Sequence, residues 1–307
     1  MEEKQKIQIT EDTDVLTPLQ KLNLTDDFLF DIATSDLEAC RIMIELALGI
    51  SIHSIRWKEG QKVIHNIPGK RGIRMDFYVE DEIGRIFDVE MQKRNEGNLP
   101  KRTRFYQALV DAPLLERGEK GFDNLNPMYI VVICNFDLYG FKKYKYTFEN
   151  RCEEEPGLIM GDECKKVFLN TKGKNDSETE KSLIDFLHFV ERSSKESLPQ
   201  ECDERLKYLY ESVEKIKSNE QIGVTYMKME ERDRLIREEG VMKGQEMKLI
   251  DMVCKKMKKG KSLQEIREEL EEDMDTIRPI YEIAGEMAPD YDTSEIFDKL
   301  HHSDSIE

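Results

Sequence analysis

The sequence predicts an α/β domain over its first half and an all-helical region over its second. Three observations carry this. Two runs, GIRMDFYVE and RIFDVEMQ, alternate apolar and polar residues at period two, the mark of strands with one buried face. A third run, PMYIVVICNF, is almost continuously apolar, as expected of a strand covered on both faces. After Asn170 the chain turns polar through TKGKNDSETEK, and nearly everything beyond has helical period. The expected divisions are a tail over 1–23, an α/β domain over 24–170, a helical region over 171–300 and a short tail over 301–307.

Taken in order, Thr25 to Leu48 reads as one helix, with cap chemistry at Thr25, Asp26 and Asp27 and a stop at Gly49. SIHSIRW and KVIHN are short strand candidates separated by a Glu59-Gly60 turn. A basic loop, IPGKRG, leads into GIRMDFYVE, a DEIG turn and RIFDVEMQ. Leu99 to Arg117 is expected to be a helix ended by Gly118, PMYIVVICNF a strand, and YKYTF and KVFLN weaker strands extending the sheet. This order of helix, strands, helix and strand is that of a compact α/β domain.

Beyond the linker, helices are expected over Thr179 to Arg192, Cys202 to Ser218, Gly223 to Lys259, Leu263 to Glu271 and Thr276 to Met287. The third is long and charged, with apolar residues at uneven spacing, as suits an exposed helix that pairs with a partner, here a homodimer through the C-terminal helices. The last two have a helix-turn-helix outline. The second of them offers only Arg278 as a basic side chain, so packing or oligomerisation is expected of this pair rather than DNA reading.

Composition narrows the function classes. Of 307 residues, 38% are hydrophobic and 36% charged, and no stretch is long and apolar enough to span a bilayer. The N-terminus lacks the layout of a signal peptide, so a cytoplasmic protein with no membrane partner is expected. The six cysteines form no CxxC pair and read as reduced, mostly structural thiols. A net charge of −17 opposes nonspecific nucleic-acid binding, but the charge is uneven. Arg56, Lys58, Lys62, Lys70, Arg71 and Arg74 stand against Glu59 alone, and Lys93, Arg94, Lys101, Arg102 and Arg104 against Glu96. These two basic stretches flank the most informative residues of the chain.

Those residues follow from strand parity. Ile73, Met75, Phe77 and Val79 share one face, and Arg74, Asp76 and Tyr78 the other; Phe87, Val89 and Met91 likewise oppose Asp88, Glu90 and Gln92. A hairpin with both apolar faces in one core pairs even residues with even ones. Asp76 then lies opposite Glu90, or one step away opposite Asp88. Facing carboxylates repel, and a divalent metal is the natural remedy; the ordinary alternative is the solvated face of an amphipathic hairpin. Gln92 shares the Glu90 face, where it is suited to hydrogen-bond an attacking water. Arg102 and Arg104 open the next helix beside Phe105 and Tyr106 and are suited to bind phosphate.

This arrangement resembles the PD-(D/E)xK nuclease superfamily and, within it, the recombination-promoting nuclease/transposase family. The carriers are Asp76, the VEMQ tetrapeptide fourteen residues on, the preceding EIGR turn, RTRFYQA, and an opening helix like TDDFLFDIATSDLEACRIMIELAL. The likeness covers about Leu24 to Asn170. It implies a restriction-endonuclease-like core, a mixed central sheet flanked by helices, that cuts DNA with Mg²⁺ or Mn²⁺ and no small-molecule cofactor. Asp76, Glu90 and the Met91 carbonyl would hold the metal, with Asp76, Glu90 and Gln92 catalytic. Arg74, Lys93, Lys101, Arg102, Arg104 and Tyr106 would meet DNA. Glu45, with Asp31 and Asp27 behind it, is the candidate for an additional acid from the first helix. The sequence departs from the superfamily at Gln92, where a lysine is usual; Lys93 is adjacent, but parity sends it to the opposite face unless a bulge intervenes. The expected function is a DNA endonuclease of recombination or mobile-element context; the alternative is an inactive DNA- or protein-binding module on the same fold.

Overall fold

Three consecutive residues that compete for backbone hydrogen bonds decide how the chain begins. The Thr34 and Ser35 hydroxyls both donate to the Asp31 carbonyl, at 3.2 and 3.0 Å, and the Asp36 carboxylate accepts from Glu38 N at 3.0 Å. Such side chains end one helix and cap the next. The expected single helix is therefore two, α1 (Asp27–Ala33) and α2 (Leu37–Leu48). Gly49, at φ +70°, ends the second as expected. A computed structural model describes residues 17–60, 63–64, 73–74, 76–115, 121–123 and 125–302 of the chain.

The strands β1 (Ile55–Gly60), β2 (Val63–Ile64), β3 (Ile73–Arg74), β4 (Phe77–Asp81) and β5 (Ile86–Gln92) follow. The expected turn at Glu59-Gly60 is absent: β1 runs through both residues, which pair with Tyr78 and Phe77 of β4. GIRMDFYVE is also divided, since β3 pairs with β2 in a separate ribbon and Asp76 sits at the entrance to β4. The β4–β5 turn is tied by the buried Asp81 carboxylate, which accepts from Ile83 N, Arg85 N and Arg85 Nε. Gly84 adopts φ +85° there, a conformation that favours glycine.

Next come α3 (Leu99–Asp111), β6 (Met128–Cys134), β7 (Lys145–Phe148) and β8 (Cys164–Asn170). The α-helix stops before the expected Arg117 because Pro113 has no N–H to continue the ladder; Ala112 keeps helical geometry and the chain tightens into a 3-10 turn over Ala112–Leu114. Among the described residues the main sheet has six strands in the order β1-β4-β5-β6-β8-β7. β5, β6 and β8 run parallel to one another, and the remaining pairs are antiparallel. This is a mixed sheet flanked by helices, the restriction-endonuclease-like class that the resemblance implies. Phe30 of α1 packs on Phe77, with ring centroids 5.8 Å apart, on one face. Leu99, Tyr106, Leu109 and Val110 of α3 pack with Tyr78, Ile86, Ile130 and Val132 on the other.

The helices α4 (Lys181–Glu191) and α5 (Glu204–Lys217) pack with α1 and α2. The first compact unit consequently runs to Tyr226, well past the boundary expected at 170, and the second begins at Met227. The long α6 (Glu220–Met257) contributes Ile250, Val253 and Cys254 to the second unit's core. α7 (Leu263–Leu270), α8 (Met274–Glu286) and α9 (Thr293–His302) add Ile266, Ile277, Ile280, Ala284 and Ile296. α9 lies almost wholly within the region expected to be helical, beyond the last helix assigned there, and reaches two residues into the expected tail; the Asp292 carboxylate caps it through Ser294 N and Glu295 N. Among the described residues, no helix is long and apolar enough to cross a membrane.

Candidate active site

The register of β4 against β5 brings the site together. Phe77 pairs with Val89 and Tyr78 with Asp88, so even residues meet even ones and Asp76 arrives beside Glu90. Backbone hydrogen bonds lock the two acids: Asp76 N donates to Glu90 Oε1 at 3.2 Å, and Met91 N donates to Asp76 Oδ2 at 2.8 Å.

The even face is not solvated. Asp88 is fully buried and Glu90 is 4% exposed, beneath the α3 side chains that include Tyr106. Neither Asp88 oxygen accepts from an N–H or hydroxyl donor; its close polar neighbour is the Glu90 carboxyl, with which it forms a carboxyl–carboxylate hydrogen bond when protonated. Removing a carboxylate from water without compensation disfavours its charged form. Burial first, and then the Glu90 and Asp76 charges, hold the Asp88 carboxyl well above the usual range. Burial, then Asp76, pushes Glu90 up to about 8. Burial also raises the Tyr106 phenol, which stays neutral at ordinary pH.

A buried acidic cluster whose base, Asp88, receives no N–H or hydroxyl donor fits a divalent cation, and its oxygen donors suit Mg²⁺ or Mn²⁺. Among the described residues no three His, Cys, Asp or Glu side chains form a ready cage. The fit is instead to an open site of one or two carboxylates plus water, the way Mg²⁺ is usually held.

Arg102 is the cation that reaches this cluster. Its Nη2 donates to Gln92 Oε1 at 2.6 Å and lies 3.5 Å from Glu90 Oε2, and its guanidinium sits 5.7 Å from the centre of the Tyr106 ring. Gln92 also donates from Nε2 to the Arg94 carbonyl at 2.8 Å. Lys101 and Arg104 point outward from α3 and are exposed.

Two expected contributors lie elsewhere. Lys93 forms an ion pair with Asp26 at 2.9 Å and approaches Asp27 at 3.9 Å, by the start of α1. β5 keeps regular register with β6 through Gln92, so no bulge redirects Lys93 toward Glu90. Glu45 is buried, and its Oε1 accepts from Arg41 Nη1 and Ile52 N, each at 2.8 Å, while Arg205 stands 3.6 Å from Oε2. It ties α2 to its surroundings and makes no contact with Asp76 or Glu90; Asp31 gives its carbonyl to Thr34 and Ser35. The third acid of the cluster is Asp88, whose signal was its place on the Glu90 face between Phe87 and Val89. The Arg74 side chain, Met75, Lys62, Lys70 and Arg71 lie outside the described residues.

A family model described as PD-(D/E)XK nuclease family transposase matches residues 46–248, a span that contains the whole cluster. No curated protein and no solved structure matches the chain.

Proposed function

The chain belongs to the PD-(D/E)XK nuclease family transposases, and from that premise we propose that it is a divalent-metal-dependent DNA endonuclease of recombination or mobile-element context. The observation that carries this is the Asp76–Glu90 pair, cross-bonded through main-chain amides and backed by the fully buried Asp88. Asp76, Glu90 and the Met91 carbonyl would hold the metal. Bound there, Mg²⁺ or Mn²⁺ supplies Lewis acidity toward a phosphate oxygen and acidifies water.

The chain's own groups do the rest. The amide of Met91 fixes the Asp76 carboxylate against β5, and neutral Tyr106 helps keep the base of the cluster dry. Arg102 faces the reacting phosphate, and Lys101 and Arg104 on the outer side of α3 suit flanking phosphates. In the net reaction water adds to phosphorus and one P–O ester bond breaks. The departing oxygen gains a proton, and the water loses one to solvent. Cutting both strands needs two such sites. A cytoplasmic homodimer through the C-terminal helices would supply them, and the exposed Leu235, Ile236, Val241 and Met242 of α6 favour that arrangement.

The test is cleavage of supercoiled plasmid by purified protein with Mg²⁺, Mn²⁺ or EDTA, beside Glu90→Ala. Metal-dependent nicking or linearisation lost in the variant supports the reading. Absence of cleavage by the wild type in either metal replaces it with a binding-only module, and equal cleavage by the variant removes this site.

A further inference from the structure

Gln92 reads from sequence as a residue that orients the attacking water, but both ends of its amide are already engaged. Arginine only donates hydrogen bonds, so the Gln92 atom 2.6 Å from Arg102 Nη2 is the amide oxygen. The amide nitrogen is thereby directed to the Arg94 carbonyl, 2.8 Å away. A side chain anchored at both ends is suited to holding a neighbour.

That neighbour is distinctive. Among the described residues, Arg102 is the one cation within ion-pair distance of Glu90. Lys93 is drawn to Asp26, and Lys101 and Arg104 face outward. The Arg102 side chain is only 23% exposed, its Nε is buried with no partner, and its guanidinium lies over Tyr106. A negatively charged phosphodiester approaching this acidic cluster is repelled by each acid that ionises, unless positive charge faces it. A planar guanidinium also matches phosphate oxygens two at a time.

We propose that Arg102 is a catalytic residue that contacts the scissile phosphate, and that Gln92 is the positioning residue that holds it there. The proposal rests on the nuclease reading and deepens it, naming the source of the positive charge at the reacting phosphate. Gln92 acts through Arg102, so the two contributions are coupled.

A double-mutant cycle tests this on the full chain, with kcat and KM measured for metal-dependent plasmid nicking and thermal melting recorded for every variant. Arg102→Ala is expected to lower kcat by about 100-fold or more, the usual scale for losing a transition-state charge contact. Gln92→Ala is expected to cost about tenfold, and the double variant should be no slower than Arg102→Ala. Added guanidinium ion should restore part of the rate to Arg102→Ala and none to Gln92→Ala, a response that a purely structural role would not give. Arg102→Met keeps the buried stem without the charge, and should be about 100-fold or more slower than wild type, which tests the charge even where Arg102→Ala fails to fold.

Multiplying single effects, or an Arg102→Met rate within about threefold of wild type, would overturn the proposal while leaving the nuclease reading intact, provided Glu90→Ala is inactive. A wild type that does not cleave overturns both.

Discussion

The two faces of β5 are built from the same strand and do opposite things. On the odd face, Phe87 and Val89 are buried and Phe87 stacks on Tyr129 with ring centroids 5.2 Å apart. On the even face, equally removed from water, Asp88 receives no N–H or hydroxyl donor and Glu90 shares one guanidinium with Gln92. Burial of apolar surface stabilises a fold, whereas burial of uncompensated carboxylates costs stability. A strand that buries both at once has one face that holds the domain together and another that is held by it. Such an expense at one face is what a functional site requires, because a preformed acidic pocket binds a cation without rearranging.

Substitutions on the two faces should separate stability from activity. The largest expected effect is catalytic: Asp76→Ala or Glu90→Ala should lower metal-dependent plasmid cleavage by about 1000-fold or more, while far-UV circular dichroism shows the domain still folded. Retained cleavage in both variants would break the comparison by removing the even face from function. On the odd face, Phe87→Ala should destabilise the domain by about 3–5 kcal/mol, as usual for emptying a buried aromatic site. Denaturant unfolding measures this, and a loss below about 1 kcal/mol would mean that the odd face is not the structural one.

The even face should also make metal-free stability depend on pH in a direction opposite to that of a salt-bridged acid. The Glu90 carboxyl is raised from its ordinary value to about 8, so the folded state holds its proton more tightly than the unfolded state. Its contribution is complete below about pH 4.5 and is lost as pH rises toward 8, by up to about 1.4 kcal/mol per pH unit in that window. Asp88, also raised by burial, acts in the same direction. Melting in EDTA should therefore fall between pH 5 and pH 8, and Asp88→Asn should flatten the slope. Mg²⁺ requires ionised ligands, so its stabilisation should grow as pH rises over the same window. A flat EDTA profile would show that these carboxylates are hydrated in solution.

Parity made much of this legible. Alternation in RIFDVEMQ and the shortness of the turn at Gly84 sufficed to narrow the partner of Asp76 to Glu90 or Asp88, because both are local; the register then selects Glu90. The burial of the even face was not legible, since Asp88 and Glu90 read equally well as a solvated face. What closes that face is the crossover helix α3, whose Tyr106 and Leu109 pack with Tyr78 and Ile86 and with Ile130 of β6. The same limit explains Gln92, whose role is set by Arg102 ten residues away rather than by its own strand. Local competition defeated other expectations: Thr34 to Asp36 split a helix that periodicity alone runs together. Glu59-Gly60, a turn by composition, stays extended because β4 supplies partners. α9 was readable in principle, since Asp292 precedes Ile296, Phe297 and Leu300 at helical spacing.

The smallest expected effect concerns the cation on the other side of the strand's end. Lys93 follows Gln92 directly, yet it pairs with Asp26 and Asp27 while Arg102 serves the Glu90 side. The Lys93 side chain is 39% exposed and Asp26 is 30% exposed, so solvent screens the pair and its worth should be about 0–1 kcal/mol. Lys93→Ala should lower the melting temperature slightly at low salt and less at high salt, where screening already weakens the pair. Its effect on cleavage should fall well below that of Arg102→Ala, since no contact carries its charge to the acidic cluster. Equal losses in the two variants would mean that β5 leaves its regular register when DNA binds, bringing Lys93 to the even face. The division of labour between the faces would then belong to the free protein alone.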